Sequence, residues 1–418
     1  MNIWYLNHYA TPHAYGLPGR PYYLARSFAS FGHEVTIVCA SWHHLRSQPA
    51  PNGVLKHIIL SEGVRYLHLP ARPYKGNGWA RLQNMLDYSK AIKHLEQMVK
   101  DATLSKPDLL IPSCVHLFSF APAYALAKIF KAKLIYEVRD IWPLSLVELS
   151  DVPRWHPLIL WMRHLEKSAY QKADAVVSLL PNALVHMQSR GLKPEKFNFI
   201  PNGVSIDEWD RESEPLPDEH LETFKRLRQG GKLIVVYTGA HGPPNALDQI
   251  LDLAKINGKE TVPYHFVLIG DGVEKTKLMQ RVEEENLSFI SFLPRIPKEQ
   301  VPSSIRETDI CFIGWQNKNI YRFGISPNKI GDYFMGCKPV LHAVNAGNDP
   351  VSDANAGISV EPYNPELLDR ALRRFINMTE SEREALGANG REYAMRNLEW
   401  EVLGKQYASI CENLVQKV

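Results

Sequence analysis

Short apolar runs alternate with amphipathic segments along almost the whole chain. In the first half, apolar runs predict strands at residues 1–6, 34–40, 107–113, 133–138, 173–179 and 197–201. The segments between them predict helices at residues 21–31, 79–100, 121–130 and 183–190. Because strand, helix and strand in succession form a βαβ unit, the pattern predicts an α/β fold with parallel sheets.

A charged stretch with two prolines interrupts this alternation at residues 205–231, and we place the domain linker at its start. The apolar runs resume at residues 232–238, 266–269, 290–293, 310–313, 340–343 and 357–360, with helices expected at 246–255, 298–306, 365–377 and from 380 to 418. A chain of 418 residues is too long for one ordinary core. The sequence therefore predicts two α/β domains of Rossmann type.

Composition narrows the class of protein. The formal net charge is only +3, with 48 basic against 45 acidic residues, so we expect no nucleic-acid partner. Five scattered cysteines show no metal-type spacing and indicate free thiols in a reducing compartment. The chain has neither a basic leader nor an apolar run of roughly 18 to 20 residues, so we expect a cytoplasmic protein, either soluble or peripheral on a membrane.

Two segments of the second half have the features of an anion site. Ser326 can cap a helix whose first position is Pro327, and Lys329 and Asp332 then lie in its first turns. A diphosphate bonded to a ribose suits such a helix start. The alternative is a well-capped helix with solvated charges. The glycine loop from Gly239 to Asn245 also precedes a predicted helix and offers similar amides.

In the first half, Gly16, Gly19 and Arg20 form a loop that could hold a phosphate or an acceptor sugar. The GxGxxG fingerprint is absent, which argues against a dinucleotide site. Arg139 and Asp140 directly follow a strand, where open α/β sheets place their chemistry, although an ion pair that pins the loop is the alternative. His116 also follows a strand, and a structural role is as well supported as a catalytic one.

Two amphipathic stretches carry basic residues, at 79–100 and 151–168. The second contains Trp155 and Trp161 with Arg154 and Arg163, and it either lies on a membrane surface or forms a core helix with basic flanks.

The order of several motifs resembles a known family. These motifs are Pro201-Asn202-Gly203-Val204, Gly270-Asp271-Gly272, Ser326-Pro327-Asn328-Lys329 with Asp332, and Gly336-Cys337-Lys338-Pro339-Val340. With two βα domains in tandem, they resemble the family 4 retaining glycosyltransferases of GT-B fold over essentially the whole chain. The stretch from Glu137 to Pro143 is similar to the branch that builds bacterial O-antigen and capsular polysaccharides, including N-acetylfucosamine transferases.

The resemblance implies two Rossmann-like domains whose parallel sheets face each other across a cleft. It implies an acceptor-binding domain at residues 1–204, a nucleotide-sugar-binding domain at 205–395, and a C-terminal helix at 396–418 that packs back on the first domain. The expected donor is a nucleotide-diphosphosugar, with UDP as the nucleotide. The implied donor contacts are Gly239, Gly242, Asn245, Arg295, Ile296, Ser326, Pro327, Asn328, Lys329 and Asp332.

The resemblance also implies a lipid-linked or glycan acceptor and contact with the anionic inner face of the cytoplasmic membrane, and neither a cofactor nor a metal is expected. The sequence departs from the family at three places. Gly324 occupies the first position of the Glu-x7-Glu motif, whose second acid is Asp332, and Arg139-Asp140 replaces a histidine. The basic residues of the glycine loop are missing, and Lys329 and Arg295 would supply that charge.

The expected reaction is sugar transfer with retention, in which the leaving diphosphate helps to deprotonate the acceptor. Lys329 would stabilise the leaving group, and Asp140 would orient or deprotonate the acceptor with Arg139 holding the geometry. Alternatives are a GT-B nucleotide-sugar 2-epimerase and a non-catalytic nucleotide-sugar-binding subunit of a polysaccharide assembly complex.

Overall fold

A computed structural model describes residues 1–12, 15–16, 18–46, 57–59, 63–76, 78–113, 116–211, 213–257 and 262–416. The chain divides into two compact units, which we call unit 1 (Met1–Asn202 with Trp400–Val418) and unit 2 (Gly203–Glu399). These boundaries lie a few residues from those expected from the sequence.

Unit 1 is built on one sheet. Its strands are β1 (Asn2–Leu6), β2 (Glu34–Ala40), β3 (His57–Ile59), β4 (Val64–Leu69), β5 (Leu109–Pro112), β6 (Lys133–Val138), β7 (Ala175–Ser178) and β8 (Phe197–Phe199). They lie in the order β3-β4-β2-β1-β5-β6-β7-β8, and neighbours pair in parallel except β3 with β4. Strand β1 is buried along its whole length because helices cover both faces of such a sheet. The strands β3 and β4 were missing from the sequence prediction.

The helices of unit 1 before residue 200 are α1 (Arg20–Ser30), α2 (Trp79–Ala91), α3 (His94–Lys100), α4 (Phe120–Phe130), α5 (Leu144–Leu149), α6 (Pro157–Lys172) and α7 (Leu184–Ser189). The prediction of one helix over residues 79–100 is wrong. The amide of Lys93 bonds to the carbonyl of Lys90, and the amide of Leu95 to that of Ile92, so the backbone tightens between α2 and α3. This turn buries both Ile92 and Leu95 completely.

Unit 2 is a parallel sheet with helices on its faces. Its strands are β9 (Leu233–Thr238), β10 (Tyr264–Ile269), β11 (Ile290–Leu293), β12 (Ile310–Gly314), β13 (Val340–Ala343) and β14 (Gly357–Val360), in the order β11-β10-β9-β12-β13-β14. Its helices are α8 (Ile206–Asp210), α9 (Asp218–Gln229), α10 (Asp248–Leu251), α11 (Ala254–Asn257), α12 (Lys275–Glu284), α13 (Val301–Arg306), α14 (Asn328–Met335), α15 (Pro350–Asp353), α16 (Pro365–Asn377) and α17 (Glu380–Asn397).

The last helix, α18 (Trp400–Gln416), belongs to unit 1 and packs on α1. The Trp400 ring stacks on Tyr23 at 5.2 Å, and the Ser27 hydroxyl donates to the Trp400 carbonyl at 3.1 Å. A Cβ atom on Gly404 would lie 2.3 Å from the Cβ of Ser27, so glycine permits the close approach of the two helices. The core of unit 1 is thus completed by the end of the chain.

The two parallel sheets confirm the α/β prediction. Among the cysteines that the structure describes, Cys39, Cys311 and Cys411 are buried and Cys337 is half-buried, all as free thiols, while Cys114 lies outside the described residues. In the described part of the chain, no helix combines the length and the apolar character needed to cross a membrane.

Candidate functional site

The carboxyl ends of β9 and β10 meet through three glycines. The Gly239 amide donates to the carbonyl of Ile269 at 2.9 Å. A Cβ atom on Gly270 would lie 1.9 Å from the Gly239 carbonyl oxygen, and one on Gly272 would lie 2.4 Å from the His241 carbonyl oxygen. Glycine is therefore required at 270 and 272 for the two loops to touch, and ligands of parallel sheets gather at such strand ends.

Lys329 reaches this glycine junction from α14. A Cβ atom on Gly239 would lie 2.6 Å from the Cε of Lys329, so the lysine stem rests against the bare glycine. The Lys329 ammonium donates to Asn245 Oδ1 at 3.0 Å and lies 5.0 Å from the centre of the Tyr237 ring. Asn245 Nδ2 and the Tyr237 hydroxyl both donate to the Ala240 carbonyl, at 2.9 Å and 2.7 Å. The structure thus brings together the predicted residues Gly239, Asn245 and Lys329.

The electrostatics of this junction follow from burial. Burial lowers the pKa of Lys329 to about 8, and the nearby charge of Asp332 opposes the shift. His241 is completely buried in the same loop, and burial, reinforced by the charge of Lys275, lowers the pKa of His241 to about 4. At neutral pH the junction therefore carries the positive charge of Lys329 beside a neutral imidazole.

The predicted cap of α14 is wrong. The helix begins at Asn328, and Pro327 is the residue before it, with an extended backbone and without a side-chain cap. Asn348 holds the preceding chain extended, because its side chain accepts from the Ile325 amide at 2.7 Å and donates to the Ile325 carbonyl at 3.1 Å. Ser326 is therefore not the N-cap. The Ile330 amide donates to the Pro327 carbonyl at 3.3 Å, so only the first two amides of α14, those of Asn328 and Lys329, lack helical partners, as at any helix start.

The glycine loop does not lead into the predicted helix over residues 246–255. Gly242 precedes a 3₁₀ turn at Pro243–Asn245, and Ala246 follows with a φ of +46°. Helix α10 starts only at Asp248 and is one turn long. Two prolines remove amide donors from this turn, and an acid occupies the first turn of α10, so a helix dipole does not serve an anion there.

Asp332 is half-buried and already has a partner. Its Oδ1 accepts from the indole Nε1 of Trp209 at 3.1 Å. Burial raises the pKa of Asp332, and Lys298 and the Trp209 hydrogen bond counteract this shift. The second carboxylate oxygen is the one that a ribose hydroxyl would use, and this contact stays a prediction.

Gly324 has a φ of +102° and a ψ of 173° at the end of the 3₁₀ turn Asn319–Phe323. This region of backbone conformation is essentially restricted to glycine. A glutamate at the family's first acid position would require a different chain path here. The glycine at the family's first acid position is therefore required by the local backbone conformation.

Arg295 and Ile296 follow β11, which lies two strands away from β9 in the sheet. Arg295 is exposed, whereas Ile296 is buried. Their expected contact with the nucleotide base stays a prediction.

Arg20 contradicts its predicted role as a phosphate ligand. Its side chain is turned into the core of unit 1, where its Nε donates to Glu137 Oε2 at 3.1 Å and another of its nitrogens donates to the Pro201 carbonyl. The hydroxyl of Tyr5 donates to the other oxygen of Glu137 at 2.7 Å, and Ser113 donates to the same oxygen. The arginine is 3% exposed and already pairs with a carboxylate.

The other two residues of that loop, Gly16 and Gly19, lie in the segment between β1 and α1. Gly19 is exposed and precedes α1, and Gly16 has a φ of +154°. A Cβ atom on Gly16 would lie 2.9 Å from the Leu45 carbonyl oxygen, so the loop packs closely. Leu17 between them lies outside the described residues.

His116 belongs to a buried histidine cluster. Its Nε2 lies 3.0 Å from His8 Nδ1, and the His8 ring stacks on Tyr88 at 4.8 Å. Burial lowers the pKa of His116 to about 3, helped by the charge of Arg81. A histidine that is 1% exposed does not meet a substrate in this geometry, which favours the structural alternative. The sequence analysis missed His8 and His43, although each also follows an apolar strand.

Arg139 and Asp140 follow β6. Asp140 is exposed to solvent and Arg139 is half-buried. Protein atoms around the carboxylate nevertheless raise the pKa of Asp140, and the charge of Arg139 opposes this shift. The loop is held by the bond from the Trp142 amide to the Asp140 carbonyl at 2.9 Å. Asp140 is thus accessible to a substrate, and its role stays a prediction.

Helix α6 has the buried face that the core-helix alternative requires, and it also exposes apolar side chains to solvent. Ile159 and Met162 are buried in the core, whereas Leu160 and Trp161 are exposed, and Trp155 before the helix is 75% exposed. The helix thus has a core face and an apolar surface.

No group of three or more His, Cys, Asp or Glu side chains within the described ranges could hold a metal ion.

Known families match both halves of the chain. Residues 19–203 match the glycosyl transferase 4-like domain, and residues 218–393 match the glycosyl transferases group 1. An uncharacterized glycosyltransferase of Methanocaldococcus jannaschii is 28% identical over 40% of this chain, which spans less than half (44%) of that relative. WcaI of Escherichia coli K12, named as a colanic acid biosynthesis glycosyl transferase, is 21% identical over 91% of this chain and 92% of its own length.

Solved structures share the whole fold. Sucrose-phosphate synthase from Thermosynechococcus elongatus superimposes with a TM-score of 0.75 at 17% identity, covering 100% of both chains. Anabaena Alr3699/HepE, solved in complex with UDP and glucose, gives a TM-score of 0.64 at 13% identity over 99% of this chain and 100% of its own.

Proposed function

We propose that this chain, which belongs to the glycosyltransferases of GT-B fold, transfers a sugar from a UDP-sugar to an acceptor hydroxyl with retention of configuration. The observation that carries this proposal is the Lys329 ammonium, which reaches from the first turn of α14 to the glycine junction. Positive charge at a helix start and at the ends of parallel strands suits a diphosphate. The complex of Anabaena HepE with UDP supports uridine as the nucleoside.

In this reaction the bond between the anomeric carbon and the diphosphate oxygen breaks. A new bond forms to the acceptor oxygen on the same face of the sugar, and the acceptor proton passes to the departing diphosphate. Negative charge grows on the diphosphate as it leaves, so Lys329 and the amides of α14 stabilise the transition state more than the ground state.

The acceptor that we propose is a lipid-linked or oligosaccharide intermediate of a bacterial surface polysaccharide, bound by unit 1. The support is WcaI, which is named for colanic acid biosynthesis and aligns along most of its length. The stretch Glu137 to Pro143 makes N-acetylfucosamine the first donor sugar to test.

Binding of UDP is expected to raise the midpoint of thermal unfolding, because a ligand that binds only the folded state stabilises it by mass action. UDP and UDP-sugars should raise the midpoint, whereas uridine, which lacks the diphosphate, should have a much smaller effect. Differential scanning fluorimetry measures both. Absence of stabilisation by every nucleoside diphosphate would contradict the proposed donor. A UDP-sugar that is converted to its epimer without an acceptor would instead favour the 2-epimerase.

Asp140→Asn is expected to lower kcat by about a hundredfold if the carboxylate orients the acceptor hydroxyl, whose proton passes to the departing diphosphate. The exposed position of Asp140 and its surroundings, which raise its pKa, motivate this expectation. Initial rates with saturating donor and acceptor measure it, and Asp151→Asn, an exposed aspartate in the same unit, is the control. An unchanged kcat would assign Asp140 to the structure of the loop.

We also propose that unit 1 binds the inner face of the cytoplasmic membrane through the exposed side chains of Trp155, Leu160 and Trp161 with the basic residues around them. The full-length protein should sediment with anionic liposomes at low salt, and Trp155→Ser with Trp161→Ser should reduce this fraction. A wild-type protein that stays in the supernatant would refute membrane binding.

A further inference from the structure

We propose that Asn245 and Tyr237 are positioning residues, which fix the ammonium of Lys329 in one place and keep it charged for an anionic ligand. The inference takes from the proposed function only the identity of that ligand as a diphosphate. The sequence expectation for Asn245 was a direct contact with the donor.

Both polar groups of the Asn245 side chain already have a partner within the protein. Its carbonyl oxygen accepts from Lys329 at 3.0 Å, and its amide nitrogen donates to Ala240 at 2.9 Å. The bond to Ala240 fixes which end of the amide faces the lysine, because only the oxygen can accept from an ammonium. Asn245 therefore acts on a ligand through Lys329.

Tyr237 completes the support from the other side. It is completely buried at the end of β9, and its hydroxyl also donates to the Ala240 carbonyl. This bond orients the ring so that its face lies 5.0 Å from the Lys329 ammonium, within the range of a cation–π contact. The bare Gly239 leaves the space through which the lysine stem passes.

These contacts matter because burial lowers the pKa of Lys329 and so favours loss of the ammonium proton. Burial favours the neutral amine, and the only carboxylate found to raise the pKa of Lys329 among the described residues is Asp332. Asp332 itself is bonded to Trp209, and Lys298 acts on it as well. The neighbouring His241 is neutral at pH 7, and the phenol of Tyr333 bonds to Thr238. An oriented amide oxygen and a ring face favour the charged form of the lysine.

The test measures the titration of Lys329 in the ligand-free, full-length protein. Lysine acetylation by acetic anhydride, followed by mass spectrometry from about pH 6 to about pH 10, reports the fraction of neutral amine. Asn245→Asp should raise the midpoint by about one unit, because a carboxylate replaces the amide oxygen. Asn245→Ala should lower it. Tyr237→Phe keeps the ring but loses the bond that orients it, and it should lower the midpoint less than Tyr237→Leu, which removes the ring.

The same variants are then titrated with UDP. UDP affinity should fall as Lys329 loses its proton, since the neutral amine attracts the diphosphate less. In each variant, the pH at which UDP affinity falls should therefore shift in the same direction as the acetylation midpoint of Lys329. A loss of packing alone would weaken binding equally at every pH and leave the pH of this fall unchanged. Uridine is the control ligand, and its binding should not follow the Lys329 titration.

Identical acetylation midpoints in wild type, Asn245→Asp and Asn245→Ala would overturn the inference and leave the proposed function intact. If the acetylation midpoints shift as expected but the protein binds no nucleoside diphosphate, the inference stands and the proposed function fails. In that case the support of Lys329 stands, and the diphosphate donor is rejected.

Discussion

Lys329→Met should lower the turnover of sugar by about a hundredfold, the scale of removing one oriented donor from a developing charge. Methionine keeps most of the length of the side chain that rests on Gly239, so the glycine junction should stay packed. The charge that faces the departing diphosphate is lost. The effect should fall mainly on kcat, because this charge interacts most strongly with the transition state.

Initial rates over a range of donor concentrations measure the effect. Lys277→Met, at an exposed lysine on α12 of the same unit, is the matched control and should keep wild-type rates. Near-normal turnover of Lys329→Met would show that the lysine has no role in the reaction. If the variant is slow and its thermal midpoint is also lowered, the loss of activity would be due to impaired folding.

Arg20→Met should destabilise unit 1 by about 3–5 kcal/mol, because it leaves the carboxylate of Glu137 buried without its cation. Tyr5 and Ser113 still donate to that carboxylate, which limits the loss. Because the two units can unfold separately, a global midpoint would not tell which of them is destabilised. Hydrogen exchange of peptides from β1 and β6 measures the loss where it occurs, and peptides of unit 2 serve as an internal reference.

The double variant Arg20→Met with Glu137→Gln should recover much of this stability, since a neutral amide replaces the unpaired charge. Arg154→Met, at an exposed arginine, should have little effect. If exchange in β1 and β6 stayed at the wild-type rate in Arg20→Met, the Glu137 pair would contribute nothing to the core. Arg20 would then be free to be considered again as a ligand.

Much of the fold follows from local sequence. Strands buried on both faces read as continuous apolar runs, as in β9 and β10, so the parallel sheets could be predicted and are confirmed. The GT-B fold was implied by the resemblance of the motifs to a known family, and it is confirmed as well. The two family matches confirm a glycosyltransferase, whereas the N-acetylfucosamine branch stays a prediction. The grouping of Gly239 with Lys329 follows from strand order, because loops at the same sheet edge lie close together.

What could not be predicted depends on distant partners. Arg20 at a helix start looks solvent-facing in the sequence, yet its partner Glu137 lies 117 positions away and draws the side chain inward. Ser326 is a residue type that commonly caps helices. However, Asn348, which is 23 positions from Ile325 in the sequence, binds the Ile325 backbone and keeps it extended, so the helix begins only at Asn328. In both cases a tertiary contact overrides a sound local rule.

Because α18 packs in unit 1 although it follows unit 2 in the sequence, it limits how a unit can be exchanged between this protein and a relative. Unit 2 is one continuous segment, Gly203–Glu399, inserted into a domain whose chain resumes at Trp400. A chimera designed to change the donor should therefore replace only this inserted segment and retain the native α18. Joining two proteins at a single crossover near residue 203 would place a foreign helix against α1, where a Cβ atom in place of Gly404 would collide with Ser27. If unit 2 binds the donor, as we propose, donor specificity is exchanged by replacing one segment with two junctions.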